Sequence, residues 1–456
     1  MSTATDENAH RLTRPASRAH TDRVSAPVRL AIILLVSGAL AQVAGPPIGK
    51  GGALDGARPR VIVSSDIGGT DPDDFQSLVH LLLYADVLDI EGLISSPYGP
   101  GRQQHILEVI AEYERDYLRL VRHSPRYPAA EALRRLTKQG ETEVAPFAGV
   151  RLATEGSAWI VQRARANDPR PLHVLVWGGI EDLAQALHDA PDILPKLRVY
   201  LIGGPNKKWS PDAYHYIATQ HPTLWMIEAN ATYRGWFTGG DQTGEWNNKA
   251  FVERHVSAHG ALGTYFATHL GGTIKMGDTP SVARLLRGSP EDPSAPSWGG
   301  RFVRAWARPY VVFDRATTAA DRVELFAIVE LALPIGAGAP ALPEAQLILE
   351  NQTLIGYAEN RRTMRFRFSP RDPRIVSYQI RSNTVALDGV TGAVTVVAPA
   401  PDAARTPSAR HPNWWTDDPS PAVSEAIHHG ARTVSDWRRE YLTDFAARLA
   451  RLRGQE

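Results

Sequence analysis

The 456-residue chain contains no cysteine, which excludes disulfide staples and thiolate metal sites outright. It also lacks an excess of either charge: 50 Lys and Arg stand against 49 Asp and Glu, a formal net charge of +1. That balance gives no electrostatic footprint for a nucleic-acid partner or an acidic membrane surface. The apolar run LAIILLVSGAL at 30–40 falls short of the roughly 20 residues that a stable bilayer-spanning helix needs. No H-E-x-x-H, no EF-hand register D-x-[DN]-x-[DN]-G and no G-x-G-x-x-G fingerprint occurs, so the common zinc-protease, calcium-loop and dinucleotide motifs are absent. What is present is an ordinary apolar fraction of 43%, enough to build a core. Eleven tryptophans suit large cores or stacking on flat ligands such as sugars and bases.

Residues 1–29 are polar with scattered arginines, and the apolar run that follows ends at Ala39-Leu40-Ala41. A basic segment, an apolar run of about 7–15 residues and an A-x-A site are the parts of an export signal. Residues 1–41 are therefore read as a signal peptide cut after Ala41, which makes the mature protein secreted or periplasmic. An uncleaved signal anchor is the alternative. The Gly-, Pro- and Ala-rich segment 42–57 reads as a linker.

From residue 58 the pattern changes. PRVIVSSD carries Val61, Ile62 and Val63 in an unbroken run, as in a parallel strand covered on both faces. FQSLVHLLLYAD is helical by its apolar spacing, and LDIEGLISS is the next strand. LHVLVWGG, LRVYLIGG and TLWMIEAN repeat the alternation further on. Strands alternating with helices predict a doubly wound α/β domain over 58–304, with a mostly parallel sheet. Its ligand should sit at the carboxyl ends of the strands. Residues 305–400 differ. YVVFD, QLILENQTLIGYA, MRFRFS, IVSYQIRS and AVTVVA are strand-like. MRFRFS alternates as a half-buried antiparallel strand does, and Asp388-Gly389 is a hairpin signal. A small β-sandwich-like insert is expected here, serving as a lid on the pocket, a polysaccharide binder or a scaffold. Residues 401–456 should return to the α/β domain, with a final helix from about 433 to 453 docking Trp437, Tyr441, Leu442, Phe445 and Leu449.

The chemistry concentrates in SSDIGGTDPDDFQ at 64–76. Four aspartates, Asp66, Asp71, Asp73 and Asp74, lie within nine residues at a strand end. Helix capping by Asp71 or Asp73, and the favourable field at a helix start, account for one or two carboxylates at roughly 0.3–1 kcal/mol each. They do not account for four. Converging hard oxygen ligands are what Ca²⁺ or Mg²⁺ requires, and a divalent cation removes the repulsion between them.

VSSDIGGTDPDD resembles the N-terminal aspartate motif of the nucleoside hydrolases. The chain resembles more closely a nucleoside hydrolase-like family of exported bacterial proteins, some described as cellulose-binding. That resemblance is carried by IVSSDIGGTDPDDFQSLVHLLLYAD, VWGGIEDLAQAL, IEANATYRGWF, KMGDTPSVARLL, SWGGRFVRA and the NWWTDDPSP tail, in order along 58–449. It implies a Ca²⁺ at the pocket floor, with Asp66, Asp74 and Asp278 as ligands and the backbone carbonyl of Glu181 completing the shell. It implies that Asp73, Glu228 and Asn230 contact the sugar, and that Asp66 takes a proton from the attacking water. The implied partners are a small sugar or nucleoside, extended to polysaccharide, with no nucleic acid and no membrane after signal removal; a homo-oligomer is compatible with the sequence.

The sequence departs from true nucleoside hydrolases at several points. Ser64 stands where they carry an aspartate, and the loop from Asp66 to Asp73 is longer. Gly277 stands where several carry a histidine that protonates the leaving base, and SSPYGPG lacks a usual asparagine. Lys275 replaces the missing acid only if its pKa is strongly lowered. Two readings follow: a Ca²⁺-dependent hydrolase of an N-ribosyl or other glycosidic bond, or a non-catalytic carbohydrate binder that uses the metal as a sugar clamp. Among the remaining candidates, Arg234 either contacts substrate or clamps Glu228. Trp209, Trp236, Trp246 and Trp298 pack or line the pocket. Trp414 and Trp415 are expected to anchor the final helix.

Overall fold

The computed structural model describes residues 57–453 apart from Thr70 and Tyr98. The export signal and residues 42–56 of the linker lie outside the described residues. Seven strands come first: β1 (Arg60–Ser65), β2 (Asp89–Ser95), β3 (Thr137–Gln139), β4 (Leu172–Val176), β5 (Leu197–Ile202), β6 (Met226–Ala229) and β7 (Phe302–Arg304). Helices separate most of them, as the alternation predicts. β1 runs parallel to β2 on one side and to β4 on the other. Val61 and Val63 join the apolar cluster on one face of the sheet, and Ile62 joins the cluster on the other. Two-sided burial is why this strand reads as a continuous apolar run.

Nine strands follow: β8 (Tyr310–Phe313), β9 (Arg322–Glu324), β10 (Ile328–Pro334), β11 (Ala345–Leu349), β12 (Gln352–Ile355), β13 (Tyr357–Glu359), β14 (Thr363–Phe368), β15 (Ile375–Ser382) and β16 (Thr391–Val397). They form two sheets, ordered β13-β14-β10-β8 and β12-β11-β15-β16-β9. Leu331, Met364 and Phe366 from the first pack with Leu347, Ile380 and Val394 from the second. This is the β-sandwich-like module expected from the sequence. The alternation in β14 has a double use. Met364, Phe366 and Phe368 fill the core, while Arg365 and Arg367 turn outward to bracket Glu330 of β10. Gly389, in the connection from β15 to its antiparallel partner β16, takes φ +77°, a conformation glycine adopts freely.

The chain then returns. β17 (Trp414–Asp417) enters the first sheet between β6, to which it is parallel, and β7, to which it is antiparallel. Trp414 and Trp415 are therefore strand residues rather than anchors of the final helix, and Trp414 is fully buried. The sheet order is β3-β2-β1-β4-β5-β6-β17-β7, eight strands with only the β7 edge antiparallel. The final helix runs Arg438–Ala450 after a short helix Arg432–Ser435. Tyr441, Leu442, Phe445 and Leu449 are buried, and the Tyr441 ring stacks on Trp236 at 3.8 Å. Among the described residues no helix is long and apolar enough to cross a membrane.

The sandwich is clamped to the α/β layer. Arg367 donates to Asp212 at 3.0 Å and lies 3.6 Å over the Phe147 ring. Buried Lys208 donates to Glu350 at 2.6 Å and to Asn351 at 2.9 Å. The Gln352 side chain donates to the Lys208 carbonyl at 3.0 Å.

Candidate metal centre

The chain leaves β1 outward through β2 and β3, then comes back to build β4, β5 and β6 on the opposite side. The crevice between the ends of β1 and β4 is the switch point where doubly wound sheets place their ligands. Asp66 follows β1 directly, and Gly178 follows β4. A Cβ at Gly178 would sit 2.6 Å from that of Asp66, so glycine is what allows the two loops to close.

Asp73 and Asp74 open the helix Asp73–Leu83. The capping role expected for Asp71 or Asp73 is not found: Pro72 occupies the N-cap position, and no side chain caps the helix. The carboxylates are engaged elsewhere. Asp74 accepts from the Ser65 hydroxyl at 2.5 Å, and Asp73 accepts from the Gly277 N–H at 2.9 Å. That second bond belongs to a larger tether. The Gln76 side chain donates to the Thr273 carbonyl at 2.8 Å and accepts from the Lys275 N–H at 3.0 Å. Trp177 donates to the Ser281 hydroxyl at 2.8 Å. Met276 takes φ +48°, a conformation costly for a side chain larger than glycine. The loop so held presents Asp278.

Carboxylate oxygens of Asp73, Asp74 and Asp278 lie within 4.8 Å of one another, and all three residues are buried. Asp66 lines the same cavity as these three. Burial, then repulsion from neighbouring carboxylates, pushes Asp66 and Asp73 up to about 7 and drives Asp74 and Asp278 well above the ordinary value. Asp278 Oδ2 is buried without a hydrogen-bond partner. Lys275 is paired with the exposed Asp71 and stays 3.5 Å from Asp73. An all-oxygen acidic donor set with an orphaned carboxylate oxygen fits a hard divalent cation. The cluster could hold a metal.

Glu181, expected to offer its backbone carbonyl, opens the helix Glu181–Asp189; its side chain is buried, accepts from the Ala145 N–H at 3.3 Å and faces a neighbouring cleft. Glu228 and Asn230 do not line the Asp cavity. The reason is counter-charge. Fully buried Glu228 accepts from Lys207 at 2.7 Å, Tyr214 at 2.8 Å, Arg308 at 2.9 Å and Asn230 at 2.9 Å. Burial acts to raise its pKa, but Lys207 and Arg308 overcome that and bring it down to about 2. Its oxygens serve the protein. Arg308 and Lys207 thus fill the clamp role considered for Arg234, whereas Arg234 lines the Asp cavity.

That cavity holds about 400 Å³. Trp177, Asn206, Trp209 and Tyr233 form its walls, and Asn351 and Arg371 reach it from the sandwich. Of the tryptophans considered from sequence, Trp209 lines the cavity, Trp236 is core, and Trp246 and Trp298 pack against that core. Asn351 and Arg371 were not anticipated; nothing local in the sequence ties them to residues 64–74.

Residues 60–302 match a family model described as "Cellulose-binding Sde182, nucleoside hydrolase-like domain". No curated protein matches the chain. Among solved structures, a nucleoside hydrolase-related hypothetical protein from Saccharophagus degradans, associated with carbohydrate metabolism, is similar at 18% identity and TM-score 0.46, over 75% of this chain and 100% of that one. The inosine-uridine preferring nucleoside hydrolase from Bacillus anthracis is similar at 15% identity and TM-score 0.34, over 54% and 85%. The purine-preferring ribonucleoside hydrolase from Gardnerella vaginalis is similar at 14% identity and TM-score 0.32, over 49% and 79%.

Proposed function

The chain belongs to the cellulose-binding Sde182, nucleoside hydrolase-like domain family, and from that premise we propose that it is an exported, Ca²⁺-dependent hydrolase of a glycosidic bond. The observation that carries the reading is the convergence of three buried carboxylates, Asp73, Asp74 and Asp278, with Lys275 paired to Asp73 at 3.5 Å and Asp278 Oδ2 left without a hydrogen-bond partner. A bound Ca²⁺ would be held by Asp278 and Asp74 with Asp66 or Asp73, and it supplies Lewis acidity toward water and a hold on neighbouring sugar hydroxyls. Asp66 is the base that takes the proton from the attacking water, and it lines the same cavity as the other three aspartates. The acidic floor favours the positive charge that builds on the sugar as the glycosidic bond breaks. Trp177, Ile202 and Trp209 give the cavity apolar walls that limit water. Gly277 offers no proton to the leaving group. Lys275 lines the cavity, and burial lowers its pKa, which moves it toward the range of a usable acid.

The absent side chain at 277 favours a second reading, in which the same site clamps a carbohydrate without cleaving it. The purified chain, incubated with Ca²⁺ and a panel of nucleosides and cello-oligosaccharides, separates the two. Product release that disappears in Asp66→Asn supports the hydrolase, and saturable binding without product throughout supports the binder. Export rests on the pattern in residues 1–41; a secreted product whose N-terminus begins at Gln42 supports it, and retention of the full chain in the cytoplasm refutes it.

A further inference from the structure

Lys207 and Arg308, the two cations that hold Glu228, also line a separate cavity of about 150 Å³. Four stretches of chain meet there. The helix Gly204–Trp209 brings Lys207, and the helix Pro211–Gln220 brings Tyr214 and His215. The connection from β7 to β8 brings Arg308, and the segment leading back to β17 brings Arg410 and His411. None of its lining residues is shared with the Asp cavity. The lining carries three cations, Lys207, Arg308 and Arg410, and none of the described carboxylates. Two acids lie near. Glu228 takes one bond from Lys207 and one from Arg308, while Glu324 accepts from Trp306 at 2.9 Å and lines a different cavity. Donors are left over. The Arg308 side chain is 9% exposed, and its Nε is buried with no hydrogen-bond partner. Lys207 spends one N–H on Glu228 and lies 4.0 Å over the Tyr214 ring. Arg410 is exposed and, among the described residues, makes no hydrogen bond or ion pair. Burial lowers Lys207 to about 8, which leaves it mostly charged at pH 7. It also lowers His215 to about 4 and His411 below its usual value, so the histidines add no charge. Ala218, Pro309 and Ile328 complete the wall with apolar surface, against which a charge interaction is stronger than in water.

We infer that this cavity binds a tetrahedral oxyanion, a phosphate or sulfate group, free or carried on a small molecule. The volume lies below the roughly 300–1,000 Å³ of sites that enclose a drug-sized ligand, and suits one compact group. Guanidinium and ammonium donors are the usual partners of such oxygens. They come here from three separate segments, which favours a group whose oxygens point several ways over a flat carboxylate. The site rests on none of the metal reading given above.

The test is calorimetric titration of the metal-free full chain, in low-salt buffer at pH 7, with inorganic phosphate, sulfate, ribose 5-phosphate and acetate. Phosphate should bind saturably at one site, about tenfold tighter than acetate, and more weakly as NaCl is added. Arg410→Ala should lower phosphate affinity about tenfold, the loss of one charge-assisted hydrogen bond. Its melting temperature without phosphate should not change, because Arg410 holds nothing in the fold. Ribose 5-phosphate that binds tighter than phosphate marks a phosphorylated small molecule as the occupant, and equal binding marks the free ion; both support the site. Absence of saturable phosphate binding overturns it, and so does a phosphate affinity that Arg410→Ala leaves unchanged. Affinity lost instead in Arg234→Ala would move the anion to the Asp cavity and overturn it as well.

Discussion

Two groups of buried carboxylates sit at the carboxyl ends of strands in one sheet, and the chain treats them oppositely. At the end of β6, Glu228 is met by Lys207 and Arg308, with Tyr214 and Asn230 completing its hydrogen bonds. At the end of β1, Asp66, Asp73, Asp74 and Asp278 line one cavity, and Lys275, shared with the exposed Asp71, pairs with Asp73 at 3.5 Å. Burial is similar; counter-charge is not. Where a carboxylate serves structure, this fold supplies the cation from its own side chains. Where it leaves several carboxylates facing one another, protons on the carboxylates or a bound cation would relieve the repulsion.

The largest effect should come from breaking the satisfied group. Glu228→Ala leaves Lys207 and Arg308 buried and unpaired, a change that costs about 3–5 kcal/mol, read as a lower denaturant midpoint. The same kind of substitution at the other group should do the reverse. Without metal, Asp74→Asn relieves repulsion and should raise the melting temperature, while Ca²⁺ added to the unsubstituted chain at a hundredfold excess over Kd should stabilise it by about 2.7 kcal/mol. That gain should be missing in Asp74→Asn. Equal destabilisation of the metal-free chain by both substitutions would erase the contrast.

Acidity sharpens it further. Asp66 and Asp73 have folded pKa values raised to about 7 from 3.8. Their contribution to the metal-free protein is therefore fully present below about pH 4 and is lost as pH rises through 7. Glu228, lowered to about 2 from 4.5, contributes above about pH 4.5 and loses that contribution as pH falls toward 2. Chelator-treated protein should lose stability between pH 5 and 7, and Ca²⁺ should flatten that slope because it competes with protons for the same oxygens. A metal-free stability that rises from pH 5 to 7 would show that the aspartates are already compensated. The smallest effect should follow from Gln76→Ala, which frees the 273–278 loop and should weaken Ca²⁺ binding about tenfold, at the low end for groups that orient ligands, measured by titration calorimetry.

What could be read from the sequence follows sequence distance. The strand at 60–65, the helix after it and the aspartates between them are local, and so is the alternation in β14. Asp278 lies some two hundred residues from Asp74, and only the resemblance carried by KMGDTPS linked the two; Gln76 and Trp177, which bring them together, look like ordinary helix and strand-end residues. The partners that hold Glu228, Lys207 and Arg308, lie 21 and 80 positions away, so no local pattern announces its ion pairs. β17 was missed because four residues carry little periodicity and its pairing with β6 spans 188 positions. Asn351 and Arg371 enter the cavity only because the sandwich is docked by Lys208 and Arg367, contacts that no local pattern announces.

A crystal structure grown in millimolar CaCl₂ would show whether one hard cation is caged by acids from both ends of the α/β layer. The expected result is a single ion with the carboxylate oxygens of Asp74 and Asp278, and of Asp66 or Asp73, at about 2.3–2.6 Å. A cluster that stays free of calcium at that concentration, with Lys275 or Arg234 turned in to pair with the aspartates, would contradict it.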